Sequence, residues 1–194
     1  MKKIIVLAFC LFLTARLSAQ TFSLSTNLLD WANLGTLNLQ AGLSFSRHLT
    51  LHAGARYNNW DFGSAEKGTD FRNKARTASI GLRYWPWNVY SSWWIGTRLQ
   101  AEEYSRGGLL ARPETEEGLA AGAGLAFGYS RMLTGRWNLD FGLGFWGGWK
   151  RYSRYACPHC GRVLSDADGT PLLDRNKGFL LPSEDVQISL TYIF

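Results

Sequence analysis

Few residues of this 194-residue chain could do chemistry, and they are scattered. The densest group is Cys157-Pro158-His159-Cys160-Gly161. Paired thiols at this spacing support several chemistries. In an oxidising compartment they close a small disulfide within one loop, which is the reading we favour. As a zinc half-site they need two further ligands, because structural zinc takes four. His159 sits between the thiols and is poorly placed to join them, so Asp166, Asp168 or a second molecule would have to complete the shell. As a redox pair they need a first thiol of lowered pKa, helped by a helix N-terminus, and no βαβ pattern surrounds them. Reduced thiols without a role are the remaining case. Asp166-Ala167-Asp168-Gly169 hints at a calcium loop, but Thr170 and Pro171 follow where further oxygen ligands are needed, so it reads as a turn.

A second set is polar and charged: His52, Arg56, Arg83, Arg98, Glu102 and Asp140. On one face of a sheet they could line a polar channel or relay protons. The balance of signs favours ion pairs filling a narrow interior, since buried charges persist when paired. An enzyme needs a nucleophile and a base. No Gly-x-Ser-x-Gly elbow is present. Of the histidines, His48 falls in a turn and His52 in the interior, and His159 lies between the cysteines without an obvious Ser partner. The expectation is a non-enzymatic protein without a cofactor, zinc at Cys157 and Cys160 being the one candidate.

The elements that must position these residues repeat every second residue. Apolar and polar residues alternate over 22–28, 37–45, 49–58, 77–84, 93–102, 119–129, 137–146 and 185–194. Each of these eight segments is near the ~9–11 residues with which a tilted strand crosses a bilayer. One face is apolar, and the other carries Gly, Ser, Asn, Gln and charge. Alternation alone does not say which face is inside.

Three features choose the membrane arrangement. Connections at 46–48, 86–91 and 131–136 are short, whereas 59–73, 105–116 and 153–182 are long and 30–36 is intermediate. Outer-membrane barrels have short periplasmic turns and longer external loops. Large aromatics gather at strand ends, where amphipathic rings meet the water–lipid interface. Tyr84, Trp85, Trp87, Tyr90, Trp93, Tyr129, Trp137, Tyr192 and Phe194 are expected on the periplasmic rim. Tyr57, Trp60, Trp149 and Tyr152 are expected on the external rim. Finally, Leu190, Tyr192 and Phe194 end the chain as an apolar ladder that resembles the signal read by the barrel assembly machinery; an ordinary edge strand is the plainer reading.

Composition agrees. Hydrophobic residues make up 46% and aromatics 14%, too many for a disordered chain. Mean hydropathy is −0.15, and no apolar run after the first twenty residues approaches the ~18 of a spanning helix. Lys2-Lys3, the apolar run Ile4–Leu13 and the small residues before Gln20 form the pattern of a secretory signal peptide, cut after Ala19 or Gln20. Cys10 sits in mid-run behind bulky Phe9, a poor lipidation context. Loss of Lys2, Lys3 and Arg16 lowers the formal charge from +6 to +3, too modest to suggest nucleic acid as a partner.

Several short segments carry a family resemblance: Ser25-Thr26-Asn27-Leu28-Leu29-Asp30, Arg56-Tyr57-Asn58-Asn59-Trp60 and Leu82-Arg83-Tyr84-Trp85. The cysteine motif and Ile188-Ser189-Leu190-Thr191-Tyr192-Ile193-Phe194 complete the set. Together they resemble the DUF3575 family of Bacteroides-type bacteria. The resemblance implies an outer-membrane β-barrel-like fold and a gene near those for fimbria-type surface structures. It supplies no catalytic residues.

The expected protein is thus all-β: an eight-stranded antiparallel up-and-down transmembrane β-barrel with short periplasmic turns and longer external loops. Residues 1–19 are an expected leader, and 20–194 one barrel domain with the external loop 153–182. The expected place is the outer membrane of a Gram-negative bacterium, as a monomer. Expected partners are outer-membrane lipid, the assembly machinery and surface or fimbrial proteins. A small channel is the first alternative, a lipid-modifying enzyme the second, and a soluble periplasmic barrel with its apolar face inward the third.

Overall fold

A computed structural model describes residues 22–33, 35–62, 71–107, 115–155, 175–180 and 186–194. The expected leader, both mature cysteines, His159, Asp166 and Asp168 lie outside the described residues. The elements are β1 (Phe22–Asn27), α1 (Leu28–Ala32), β2 (Leu37–Ser44), β3 (Leu49–Phe62), β4 (Phe71–Tyr84) and β5 (Ser92–Gly107). They continue with β6 (Thr115–Met132), β7 (Trp137–Tyr155), β8 (Arg175–Leu180) and β9 (Gln187–Ile193).

Each strand from β1 to β7 pairs antiparallel with the next. β7 pairs with β9 over Trp137–Gly142, and β9 pairs with β1, so the sheet closes as an eight-stranded antiparallel barrel. Closure leaves no sheet edge between β1 and β9. β8 pairs with β7 higher up, over Gly147–Tyr152. β8 and β9 are therefore successive pieces of one wall position.

Three differences from the sequence expectation have physical reasons. The central strands are longer than their apolar ladders, extending to Phe62, Gly107 and Tyr155. β8 falls inside the stretch 153–182 expected as loop. Beyond the apolar belt both faces are polar, so pairing continues while the period-two signal ends. Third, the first strand stops at Asn27 and Leu28, expected as its last residue, instead opens the helical turn Leu28–Ala32. Asn27 caps it by accepting from Leu29 N at 3.2 Å, a common N-cap role for Asn. The same Asn27 Oδ1 accepts from Ile188 N at 3.0 Å, and Asn38 Nδ2 donates to Asn27 O at 3.0 Å. These bonds tie α1 to β2 and β9.

Alternation places the apolar face outward. Leu39, Ile80, Ile95, Leu99, Leu125 and Phe145 are exposed on the wall, whereas His52, Gln100, Glu102 and Asp140 are buried inside. The glycines of β6 face inward, and two of them make room for indoles of neighbouring strands. A Cβ on Gly124 would strike the Trp146 backbone and Cβ, and one on Gly128 would strike the Trp94 ring. The free space is filled from the adjacent β7 and β5.

Candidate binding cavity in the barrel lumen

The short-turn end of the barrel is filled by aromatic side chains. Trp85, Tyr90, Trp94 and Ile193 form one buried cluster. Trp85 is fully buried, with its ring centroid 5.8 Å from Tyr90 and 6.3 Å from Trp94. This corrects the expectation that Trp85 and Tyr90 lie on the outer rim. The turn between β4 and β5 explains it. Tyr90 and Ser92 adopt φ of 61° and 67°, a left-handed conformation that costs a non-glycine residue about 1–2 kcal/mol. Hydrogen bonds hold the turn in this shape. Trp85 N donates to His48 O at 2.8 Å, and Val89 N donates to Arg47 O at 2.9 Å. Tyr90 O accepts from Ser130 Oγ at 3.2 Å and from Asn138 Nδ2 at 2.5 Å. Burial pushes the Tyr90 phenol above its usual value of 10.0, and Asp140 pushes the same way. Trp60 and Tyr152, expected on the outer rim, are likewise buried. Trp149 and Tyr57 do lie outside, with Trp149 73% exposed.

Above this floor is a cavity of about 90 Å³. His52, Arg56, Arg83 and Arg98 line it, with Trp94 at its base and Gln40, Thr77 and Ser79 on its walls. Arg83 lies over the Trp94 ring, with Cζ 4.1 Å from its centre, a cation–π contact that positions the guanidinium. Arg56 Nη1 is 3.7 Å from Asp30 Oδ1. Burial pushes the Asp30 carboxyl up, and Arg56 works against that shift. Trp85 Nε1 donates to Thr50 Oγ1 at 3.0 Å, and Thr50 Oγ1 contacts His52 Nε2 at 2.7 Å. Thr50 itself is fully buried. This hydroxyl–imidazole contact therefore braces the floor and offers no accessible nucleophile.

A wider vestibule of about 420 Å³ follows toward the long-connection end. The two spaces share Asp30, Arg56, Thr77 and Val186. Glu102 lines the vestibule and takes Arg106 Nη2 at 2.5 Å. Ion pairs surround it. Lys74 Nζ is 2.7 Å from Asp61 Oδ2, Arg72 Nη1 is 3.2 Å from Glu117 Oε1, and Lys150 Nζ is 2.5 Å from Glu116 Oε1. Tyr104 OH donates to Glu116 Oε1 at 2.7 Å. Burial opposes the Glu116 charge, yet Lys150, Tyr104 and Arg154 together hold its carboxyl below the usual value of 4.5. Burial and the adjacent Glu116 push the Tyr104 phenol far above its usual value.

The structure thus brings five of the six predicted interior residues to two connected spaces. Asp140 is the exception. It lies nearer the floor and accepts from Thr191 Oγ1 at 2.6 Å. Sequence reasoning missed Asp30, Trp94 and Gln40. Trp94 and Gln40 stood on the polar side of their ladders, which was the available signal. Asp30 had none, since it reaches Arg56 only through the turn of α1. Among the described residues, no group of three His, Cys, Asp or Glu side chains is placed to hold a metal ion. Of the expected assembly-signal residues, Leu190 pairs with Thr26 and Leu139. Tyr192 packs edge-on against Trp137 and Phe194, each at 4.9 Å, and Phe194 N donates to Phe22 O at 2.9 Å.

Fold and interior together define the class: a closed eight-stranded antiparallel barrel with a polar, ion-paired lumen and an apolar outer wall. Within that class the chain belongs to the family described as protein of unknown function (DUF3575), which it matches over residues 4–194. No curated protein and no solved structure matches it.

Proposed function

We propose that this protein is exported by its leader and inserted in an outer membrane, where it serves a non-enzymatic surface role. The observation that carries the reading is the outer wall. Leu39, Ile95, Leu99, Leu119, Leu125 and Phe145 are each more than two-fifths exposed on one continuous belt. Soluble monomers rarely expose an apolar patch beyond a few hundred Å². The inside-out polarity suits lipid, where only a closed sheet satisfies every backbone group. The belt ends at a charged level where Arg76 Nη1 meets Glu103 Oε2 at 3.8 Å on the exposed surface. Contact with surface or fimbria-type proteins would fall to the connections at the far end, because loops on rigid scaffolds carry function. The aromatic floor disfavours the channel alternative.

The test is fractionation of expressing cells, with a thiol-reactive probe applied from outside before and after mild reduction. The expected result is protein in the outer-membrane fraction that labels only after reduction, as a Cys157–Cys160 disulfide in an external loop requires. Soluble periplasmic protein would refute the membrane placement, and labelling without reduction would refute the disulfide.

A further inference from the structure

We infer that the lumen cavity is a binding site for a small oxyanion, a carboxylate or phosphate group on a small polar solute that enters from the vestibule side. The inference goes beyond membrane placement and does not depend on it.

Charge makes the first argument. Arg56, Arg83 and Arg98 line one space of about 90 Å³. Asp30 answers Arg56 at 3.7 Å. Asp140 takes its hydrogen bond from Thr191 and acts on Arg83 through space. Three guanidiniums thus converge on one small space. Geometry makes the second. Among the described residues, Arg83 has no hydrogen-bond or ion-pair acceptor, yet its Cζ is held 4.1 Å over the centre of the Trp94 ring. A guanidinium placed by an aromatic ring and left without an acceptor keeps its donors for two-pronged recognition of a carboxylate or phosphate. Enclosure makes the third. Low surrounding dielectric strengthens such contacts, and the floor of Trp85, Tyr90 and Trp94 gives the space a closed end. Ser79, Thr77 and Gln40 supply neutral hydrogen-bonding groups for the rest of the solute.

The test uses the mature full chain in micelles at low salt, titrated separately with inorganic phosphate and with acetate. Binding is followed by calorimetry and by tryptophan fluorescence, since Trp94 lies under Arg83. Saturable binding of at least one anion is expected, and which one binds separates phosphate from carboxylate solutes. Added chloride should weaken it. Arg83→Gln should weaken binding roughly tenfold or more, the scale of one lost charge-assisted contact. Arg76→Gln, on the outer wall, should leave it unchanged. Ser79→Leu fills the space while keeping every guanidinium and should also abolish binding, so the idea stays testable if Arg83→Gln fails to fold. No saturable binding of either anion at millimolar concentration would overturn the inference. So would equal binding by wild type and folded Ser79→Leu.

Discussion

Leu99→Arg separates a barrel in lipid from a barrel in water. Leu99 is on the outer face of β5, 61% exposed, opposite Ile80 and Ala123. The outward residues of β5 run from Trp93 to Glu103, ten residues apart. At about 3.4 Å per residue and a tilt near 40°, that stretch covers roughly 26 Å of height. Outer-membrane barrels present an apolar band of about 25 Å, so the belt has the height of a bilayer core. Leu99 lies four residues from Glu103, which puts it ~10 Å inside the charged edge by the same arithmetic. An Arg at that depth should cost about 2–4 kcal/mol in a bilayer. Leu119 pairs with Glu103 and Arg151 at the edge itself, where the cost should fall to ~0–1 kcal/mol. In water both changes should stay within about 0.5 kcal/mol of neutral. The assay is urea unfolding of each variant refolded into lipid vesicles. If Leu99→Arg and Leu119→Arg cost the same within about 0.5 kcal/mol, the depth argument fails, and with it the reading of the belt as a membrane surface.

Further outcomes follow from particular contacts. Trp85→Ala should cost about 3–5 kcal/mol, since it empties a fully buried indole site and leaves Thr50 without its donor; denaturant midpoints check this. Wild type should carry no steady current across a planar bilayer, whereas Trp85→Ala combined with Tyr90→Ala should conduct if these rings close the lumen; a conducting wild type would refute that closure. Gly128→Ala should cost about 1–3 kcal/mol, because the new Cβ runs into the Trp94 ring and the Phe141 carbonyl; its tryptophan spectrum should shift with the loss. Two pH effects have opposite signs. Glu116 has a folded pKa below 4.5, so its stabilisation is present above that value and lost as pH falls through the lowered one; Glu116→Gln should flatten this acid limb. Tyr90 has a folded pKa above 10.0, so its contribution holds below that value and is lost as pH rises; Tyr90→Phe should flatten the alkaline limb of a stability–pH curve.

The alternating pattern carried most of the architecture. A period of two sorts each side chain of β5, from Trp93 to Glu102, onto one of two faces without any knowledge of its neighbours. It sorted His52, Arg56, Arg83, Arg98, Glu102 and Asp140 onto one polar face. It could not locate strand ends beyond Glu102 or Tyr152, where both faces are polar and the signal vanishes. Nor could it find β8, whose wall position follows from pairing with Gly147–Tyr152.

Local sequence, then, determined the strands, their two faces and the order of short and long connections, because these depend on residues one or two positions apart. Tertiary structure decided the rest. The placing of Trp85 and Tyr90 inside the barrel depends on a turn anchored to Arg47 and His48 of the β2–β3 turn, Ser130 of β6 and Asn138 of β7. The seating of Arg83 over the Trp94 ring and the approach of Asp30 to Arg56 depend on register and on the turn of α1. Contacts of that kind join residues distant along the chain. No local propensity encodes them, so the closed floor and the cationic cavity above it emerge only when the sheet has closed.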